Sequence, residues 1–381
     1  MMCDVGLPCV YYPGQCTAPV TVKPRLFTIV LLHCWQREYD KRPYKKFQFR
    51  RLDFEERIGR KYHCIRAFRI IVNFLLRRSL LEVSIWSVVV SHWDAKLLQE
   101  FALSLIRVWK IELKLMQLPT EFFVMLRLNA AKMEVVELST PLSDQNVRML
   151  REFLLVNKTL RTLNVSHCSL TQYNFALIAD GVHKSGVRSL NASRLLGLKL
   201  SLDTASIIGS LLMQNHLVVL TLQHCEFTAQ DMQPISEYLY RSKCALRELN
   251  LACNLIAADD TLFLMRGIAQ GSGLELLDIS CNSIGTHGGE WIAMYLSSCR
   301  MLQHLYLNYN DIGESGLNLI LLTIKKESKM KRLNLYGNSF DARSAMIVRR
   351  LLDAEVLFHE VIDISYTYDE ALQDYRIVPW R

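Results

Sequence analysis

One phrase recurs through most of this chain at nearly constant spacing: LRTLNVSHCSL from Leu160, LVVLTLQHCEF from Leu217, LRELNLACNLI from Leu246, LELLDISCNSI from Leu274, LQHLYLNYNDI from Leu302 and MKRLNLYGNSF from Met330. With a weaker copy at Val187, successive starts lie 27, 30, 29, 28, 28 and 28 residues apart. A unit this short cannot bury its apolar side alone, so the copies must stack on one another and share one continuous core. Degenerate copies extend the array upstream, through Met133 to Leu138, Val108 to Leu118 and Leu80 to Val90, and a last one is expected at Val361 to Ile364. The count is about ten units.

Each phrase opens with apolar residues alternating with polar ones, the period of a half-buried strand. The second half of the unit changes period. Small or capping-type residues at Asn174, Asp231, Asp260, Gly288, Gly316 and Ser344 are followed four residues later by Ile178, Ile235, Leu264, Ile292, Ile320 and Val348. Four residues later again stand Val182, Leu239, Ile268, Leu296, Ile324 and Leu352. That is the single apolar stripe of an amphipathic helix. Between strand and helix one slot holds Cys168, Cys225, Asn254, Asn282, Asn310 and Asn338. A ladder is expected there, its side chains satisfying backbone groups in the turns. Cys253 and Cys281, one position earlier, read as small packing residues.

Strands stack about 4.8 Å apart and helices about 10 Å apart, so such an array should curve with its strands inside. The expected fold is α/β: a curved solenoid, or horseshoe, with a concave parallel β-sheet and convex helices. Residues 80–365 resemble leucine-rich repeats of the ribonuclease-inhibitor subtype, carried by L-x-x-L-x-L-x-x-N/C-x-L. The resemblance implies the fold and a protein-binding role, and its members include enzyme inhibitors, immune sensors, GTPase activators and cytoskeletal scaffolds. The closing SYTYDEALQDYRIVPWR departs from the strongly acidic tail of the Ran GTPase activators.

The expected organisation is a basic, partly irregular segment at 1–52, a capping helix at 53–79 introduced by Asp53 and Glu56, the solenoid at 80–365, and a C-terminal cap at 366–381. The net charge of +8 is concentrated at the start: residues 1–79 hold sixteen Lys or Arg against six Asp or Glu, and the remainder 29 against 31. Lys41, Arg42, Lys45, Lys46, Arg50 and Arg51 alternate there with Tyr44, Phe47 and Phe49. This pattern fits a solvated linker, a grip on an acidic protein, a nuclear-import signal or a nucleic-acid contact, and the protein partner is preferred over nucleic acid.

On the concave side, Asn164, Asn191, Thr221, Asn250, Asp278, Tyr306 and Asn334 form a column facing solvent. Its candidate partner-binding residues are Tyr306, Tyr309, Tyr336, His304, Asn308 and Asp278, since aromatics on a small polar surface serve as interface anchors. No Ser/His/Asp or Cys/His spacing marks a nucleophile, no glycine-rich loop cradles a phosphate, and there is no C-x-x-C pair, so no enzyme, metal site or cofactor is expected. No run of 18 apolar residues suggests a membrane span, and the N-terminus, with Asp4 and two early prolines, lacks the order of a secretory signal. The expected compartment is the cytoplasm. The short apolar segment, amphipathic helix and repeats taken together are similar to leucine-rich-repeat subunits of the nexin–dynein regulatory complex of motile cilia, which implies an axonemal, cytoskeletal setting. A ribonuclease-inhibitor-type inhibitor and a GTPase-activating protein are the other functions the resemblance implies.

Overall fold

The computed structural model describes residues 36–37, 40–41, 46–50, 65–86, 88, 90, 93–129, 132–194, 202–213, 216–227, 229–240, 244–325, 329–371 and 373–380. The chain divides into two compact units, residues 1–169 with 180–187 and residues 170–179 with 188–381.

In the first unit five parallel strands lie side by side in chain order: β1 (Lys46–Arg50), β2 (Glu82–Trp86), β3 (Lys110–Lys114), β4 (Val135–Ser139) and β5 (Thr162–Asn164). Its helices are α1 (Ile65–Leu76), α2 (Ala95–Ser104), α3 (Thr120–Asn129) and α4 (Asp144–Val156), and α5 (Gln172–Lys184) is divided between the units. The second unit continues the pattern with β6 (Ser189–Asn191), β7 (Val219–Thr221), β8 (Glu248–Asn250), β9 (Leu276–Asp278), β10 (His304–Tyr306) and β11 (Arg332–Asn334), again parallel. Between and after them come α6 (Leu202–Leu212), α7 (Ala229–Leu239), α8 (Ala258–Ala269), α9 (Gly285–Leu296), α10 (Glu314–Thr323) and α11 (Ala342–Asp353). Each unit is a stretch of α/β solenoid in which every repeat contributes one strand and one helix.

The register explains the core. In every three-residue strand the central leucine is buried while its neighbours keep part of their surface, so one face of the sheet packs on the helices and the other is open. The helical stripe read from sequence is equally buried at Ile178, Ile235, Leu264, Ile292, Ile320 and Val348. Only its last member slips, with Leu351 taking the buried position and Leu352 left half-exposed. Capping follows chemistry: Asp94 accepts from Leu97 N–H at 2.8 Å, Ser143 from Asn146 N–H at 3.2 Å, and Asp341 from Ser344 N–H at 2.7 Å. Helices α9 and α10 approach closely because Gly316 carries no Cβ, which would lie 2.8 Å from the Thr286 carbonyl oxygen.

The ends differ from expectation. The sheet begins one strand before Leu80, because Lys46–Arg50 is itself a strand paired in parallel with β2, in the segment expected to be basic and partly irregular. Its alternation of Lys46, Phe47 and Gln48 is a half-buried strand pattern: Phe47 is buried against Phe74 at 5.6 Å between ring centroids. There are thus eleven parallel strands among the described residues, against about ten expected units. The following helix is described from Ile65, with Phe68, Val72 and Leu75 buried, and the expected start at Asp53 and Glu56 lies outside the described residues. At the other end the expected strand at Val361 to Ile364 is reduced to one parallel bridge, Leu333 to Ile362. The chain then turns into an antiparallel hairpin, β12 (Ile364–Asp369) with β13 (Asp374–Pro379), so the boundary expected at 365/366 falls inside a strand.

Candidate functional site

The slot between strand and helix is occupied as a continuous hydrogen-bond ladder. The Asn282 side-chain oxygen accepts from the backbone N–H of Asn254 at 3.0 Å and of Ile256 at 3.1 Å, and its amide donates to the Ile279 carbonyl at 2.8 Å. Asn254 and Asn338 repeat the arrangement in their own turns, while Asn310 accepts from Asn282 N–H and donates to the Ile279 carbonyl of the preceding repeat. Where the slot holds a thiol the bonds are longer: Cys168 Sγ donates to the Leu138 carbonyl at 3.5 Å and Cys225 Sγ to the Gln223 carbonyl at 3.4 Å. Burial pushes the Cys168 thiol up to about 12, so it remains an inert protonated donor.

The open face of the first unit is charged and self-paired. Lys46 lies 3.4 Å from Glu82, Lys110 lies 2.6 Å from Glu137, and Lys114 lies 2.5 Å from Glu112 while its ammonium sits 4.7 Å over the Trp86 ring. Burial alone would raise the Glu112 carboxyl, but Lys114, through its hydrogen bond and its charge, and Ser84 hold it below its ordinary range. Of the basic candidates, Lys46 is therefore engaged inside the sheet and Lys41 is exposed on a helical turn. Arg42, Lys45 and Arg51 lie outside the described residues, and Arg50 is placed in β1 by its backbone alone.

The second unit presents a different open face, nearly neutral and partly aromatic. Much of the column expected to face a ligand is tied to the turn that follows it: the Asn191 side chain accepts from Ser193 N–H at 3.0 Å, Asn250 from Ala252 N–H at 3.0 Å, and Asp278 from Ser280 N–H at 3.0 Å. Asn250 also donates to Asp278 at 2.8 Å. These are side-chain turns of the Asx type, in which a short polar side chain replaces a backbone acceptor. Asp278 is thus a shared structural group as well as a surface one. With Tyr306, Thr221, Glu248 and Asn250 it lines a shallow depression of about 270 Å³ across β7 to β10. His304 stands two residues before Tyr306 on β10, half-exposed.

Beside the depression, Tyr309 and Tyr336 form an edge-to-face pair with centroids 6.0 Å apart, 55% and 39% exposed. The C-terminal hairpin leaves both accessible. Tyr309 holds a left-handed backbone, φ 54°, and lies over Gly337, φ 86°, where a Cβ would come within 2.3 Å of the ring. Gly337 therefore seats Tyr309, a role that emerges only when the left-handed positions of successive repeats are aligned. Asn308, by contrast, belongs to the end of the array: its amide donates to Asp363 at 2.6 Å, while Asp363 accepts from Leu335 N–H at 2.7 Å. Asp363, not singled out from sequence, acts as the terminal acceptor that another repeat would otherwise supply. Tyr366 and Tyr375 pack edge to face at 6.0 Å and His359 stacks on Trp380 at 4.1 Å in the hairpin cap.

Cys253 and Cys281 are not packing residues. Both have left-handed backbones, φ 58° and 55°, which carry their side chains out of the core, Cys253 half-buried and Cys281 exposed. Among the described residues no cluster of three or more His, Cys, Asp or Glu side chains could hold a metal ion, and no helix is long and apolar enough to cross a membrane.

Parallel strands each followed by a helix, an asparagine ladder between them and an open sheet face define a leucine-rich-repeat protein. A family model described as Leucine Rich repeat matches residues 156–171 and 298–321. The chain is 26% identical over 264 residues to the ribonuclease inhibitor of Sus scrofa, covering 58% of this chain and 56% of that protein. It is 25% identical over 195 residues to NACHT, LRR and PYD domains-containing protein 5 of Mus musculus, covering 50% of this chain and 17% of that one. A solved TLR13–ssRNA13 complex aligns over 69% of this chain and 36% of that chain, with a TM-score of 0.42 and 17% identity. The chain spans about half the length of the inhibitors it matches. Its repeats are leucine-rich repeats of the ribonuclease-inhibitor-like kind.

Proposed function

We propose that the chain is a non-catalytic protein-binding scaffold that engages its partner through the open sheet face of the second unit. The observation that carries this reading is the exposed Tyr309–Tyr336 pair beside the depression lined by Tyr306 and Asp278. Aromatic rings offer large contact area with few rotors to freeze, and a depression beside them gives a partner side chain a seat. The non-catalytic part rests on what the polar groups of that face do: Asn191, Asn250 and Asp278 are held by turn N–H groups rather than poised toward a substrate. In a comparative affinity purification with quantitative mass spectrometry, a Tyr309→Ala/Tyr336→Ala double variant should keep the wild-type circular-dichroism spectrum and lose a defined partner at least about tenfold, the equivalent of roughly 1.4 kcal/mol. An unchanged set of partners would refute the assignment.

Inhibition of a basic enzyme is the second reading, favoured by Glu248 and Asp278 in the same depression and by similarity to ribonuclease inhibitors. A ribonuclease activity assay with added protein tests it. An axonemal setting and the capture of an acidic partner by the basic N-terminal segment rest on the sequence; immunolocalisation tests the first, and binding by the Lys41→Ala/Arg42→Ala/Lys45→Ala variant the second.

A further inference from the structure

The left-handed position of each repeat in the second unit points its side chain out beside the sheet, and it is occupied in turn by Arg194, His224, Cys253, Cys281, Tyr309 and Gly337. Backbone bonds fix these as direct neighbours. Cys253 N–H donates to the Ser280 carbonyl at 2.8 Å, and Cys281 N–H donates to the Asn308 carbonyl at 2.8 Å. The strand pairing of β8 with β9, Asn250 opposite Asp278, continues in step to Cys253 opposite Cys281.

Adjacent parallel strands are about 4.8 Å apart, which lies inside the Cα separation of roughly 4.4–6.8 Å that a disulfide spans. The two thiols lie within electrostatic reach of each other, at matching positions of neighbouring repeats. Cys281 is exposed to solvent and Cys253 half-buried behind it. Of the other described cysteines, Cys168, Cys225 and Cys299 are buried, and Cys244, half-buried like Cys253, lies before β8 and away from this register position.

We infer that Cys253 and Cys281 form a reversible modification site, a dithiol that a peroxide-class oxidant converts to a disulfide linking two neighbouring repeats. The steps balance. The Cys281 thiolate attacks one peroxide oxygen, the O–O bond breaks, and the protein keeps a sulfenic acid while hydroxide leaves and takes up a proton as water. Cys253 sulfur then attacks the sulfenic sulfur, the S–O bond breaks, the Cys253 proton passes to the departing hydroxide, and a second water is released. Two thiols are oxidised by two electrons and one peroxide is reduced. A small dithiol reductant reverses the change by exchange. Burial first, and then the neighbouring Cys281, raise the Cys253 thiol, while Arg194 opposes them; Cys253 is therefore the resolving partner and exposed Cys281 the site of first attack.

Peptide mapping of the full-length protein tests this directly. Trypsin leaves Cys253 on the 248–266 peptide and Cys281 on the 267–300 peptide. After brief treatment with hydrogen peroxide and alkylation of the remaining thiols, the two peptides should appear joined, about 2 Da lighter than their sum, with fragmentation placing the link at Cys281 rather than Cys299. Dithiothreitol should restore both alkylated peptides. In Cys253→Ser, Cys281 should instead accumulate sulfenic and sulfinic acid; in Cys281→Ser, Cys253 should stay alkylatable. Both variants should keep the wild-type circular-dichroism spectrum, since neither thiol contributes to the core. Cys281 over-oxidised beside a fully alkylated Cys253 in the unsubstituted protein, or linked to any other cysteine, would overturn the inference.

Discussion

Replacing Asn282 by Ala tests whether the ladder holds the repeats together or merely decorates them. Asn282 is 6% exposed, and five hydrogen bonds of its side chain can be followed one by one. The three carbonyls it serves keep other donors: Leu251 still receives the Asn254 amide at 2.7 Å, Ile279 the Asn310 amide at 3.0 Å, and Ser280 the Cys253 N–H at 2.8 Å. The two backbone N–H groups it accepts from, Asn254 at 3.0 Å and Ile256 at 3.1 Å, have that side-chain oxygen as their acceptor. Removing it orphans both. At about 1–3 kcal/mol for each of the two unsatisfied buried donors, the loss is about 2–6 kcal/mol, a large share of the roughly 5–15 kcal/mol by which domains are stable. Asn334→Ala is the matched control, because the Asn334 side chain bonds the Arg332 guanidinium at 3.0 Å on the open face and its removal should cost under about 0.5 kcal/mol. Urea denaturation followed by circular dichroism gives both numbers from the midpoint shift and slope. Equal midpoints for the two variants would refute the reasoning and reduce the ladder to a by-product of the fold.

Leu277→Asp places a carboxylate at a fully buried strand position and should prevent accumulation of folded protein; a normal cooperative melt would show the register to be wrong. Asp180, 2.7 Å from Lys184 and 2.6 Å from Arg151, has its carboxyl lowered first by the bond from Lys184 and also by Arg151, against the effect of burial. A depressed carboxyl stabilises the fold above its unfolded pKa, near 3.9, and that contribution is lost as pH falls through the lower folded value. Asp180→Asn should therefore melt below wild type at neutral pH, by an amount worth about 0.5 kcal/mol for a half-exposed cluster, and the gap should close as the pH is taken below about 4; a gap independent of pH would contradict the ion pairs.

The body of the fold was legible because repetition multiplies a weak signal: one LxxLxL phrase is ambiguous, but successive copies about 28 residues apart fix strand, slot and helix together. The ends were harder to read because each is a single event. β1 was hidden by its charges, since Lys46, Phe47 and Gln48 read equally as a basic stretch with aromatics and as an alternating strand, and only the pairing with Glu82 to Trp86 decides. Asp363 gave no signal of its own because its bonds to Leu335 and Asn308 span about one and two repeats. Of the site, the tyrosines were legible as exposed aromatics on a polar column. The structural duty of Asn250 and Asp278 could have been read from short polar residues two positions before a turn, which is the Asx-turn signature. The nature of Cys253 and Cys281 could not, because a left-handed backbone turns a small residue outward and composition does not show the sign of φ.

The central claim is that recognition runs through the open sheet face and not through the helices. Site-specific photocrosslinking puts it to the test: p-benzoylphenylalanine at Tyr309 is compared with the same residue at Met294 on α9, which is 61% exposed. The account predicts a discrete crosslinked adduct with a partner protein from position 309, suppressed by Tyr336→Ala, and none from position 294. The same adduct from position 294 with none from position 309 would contradict it.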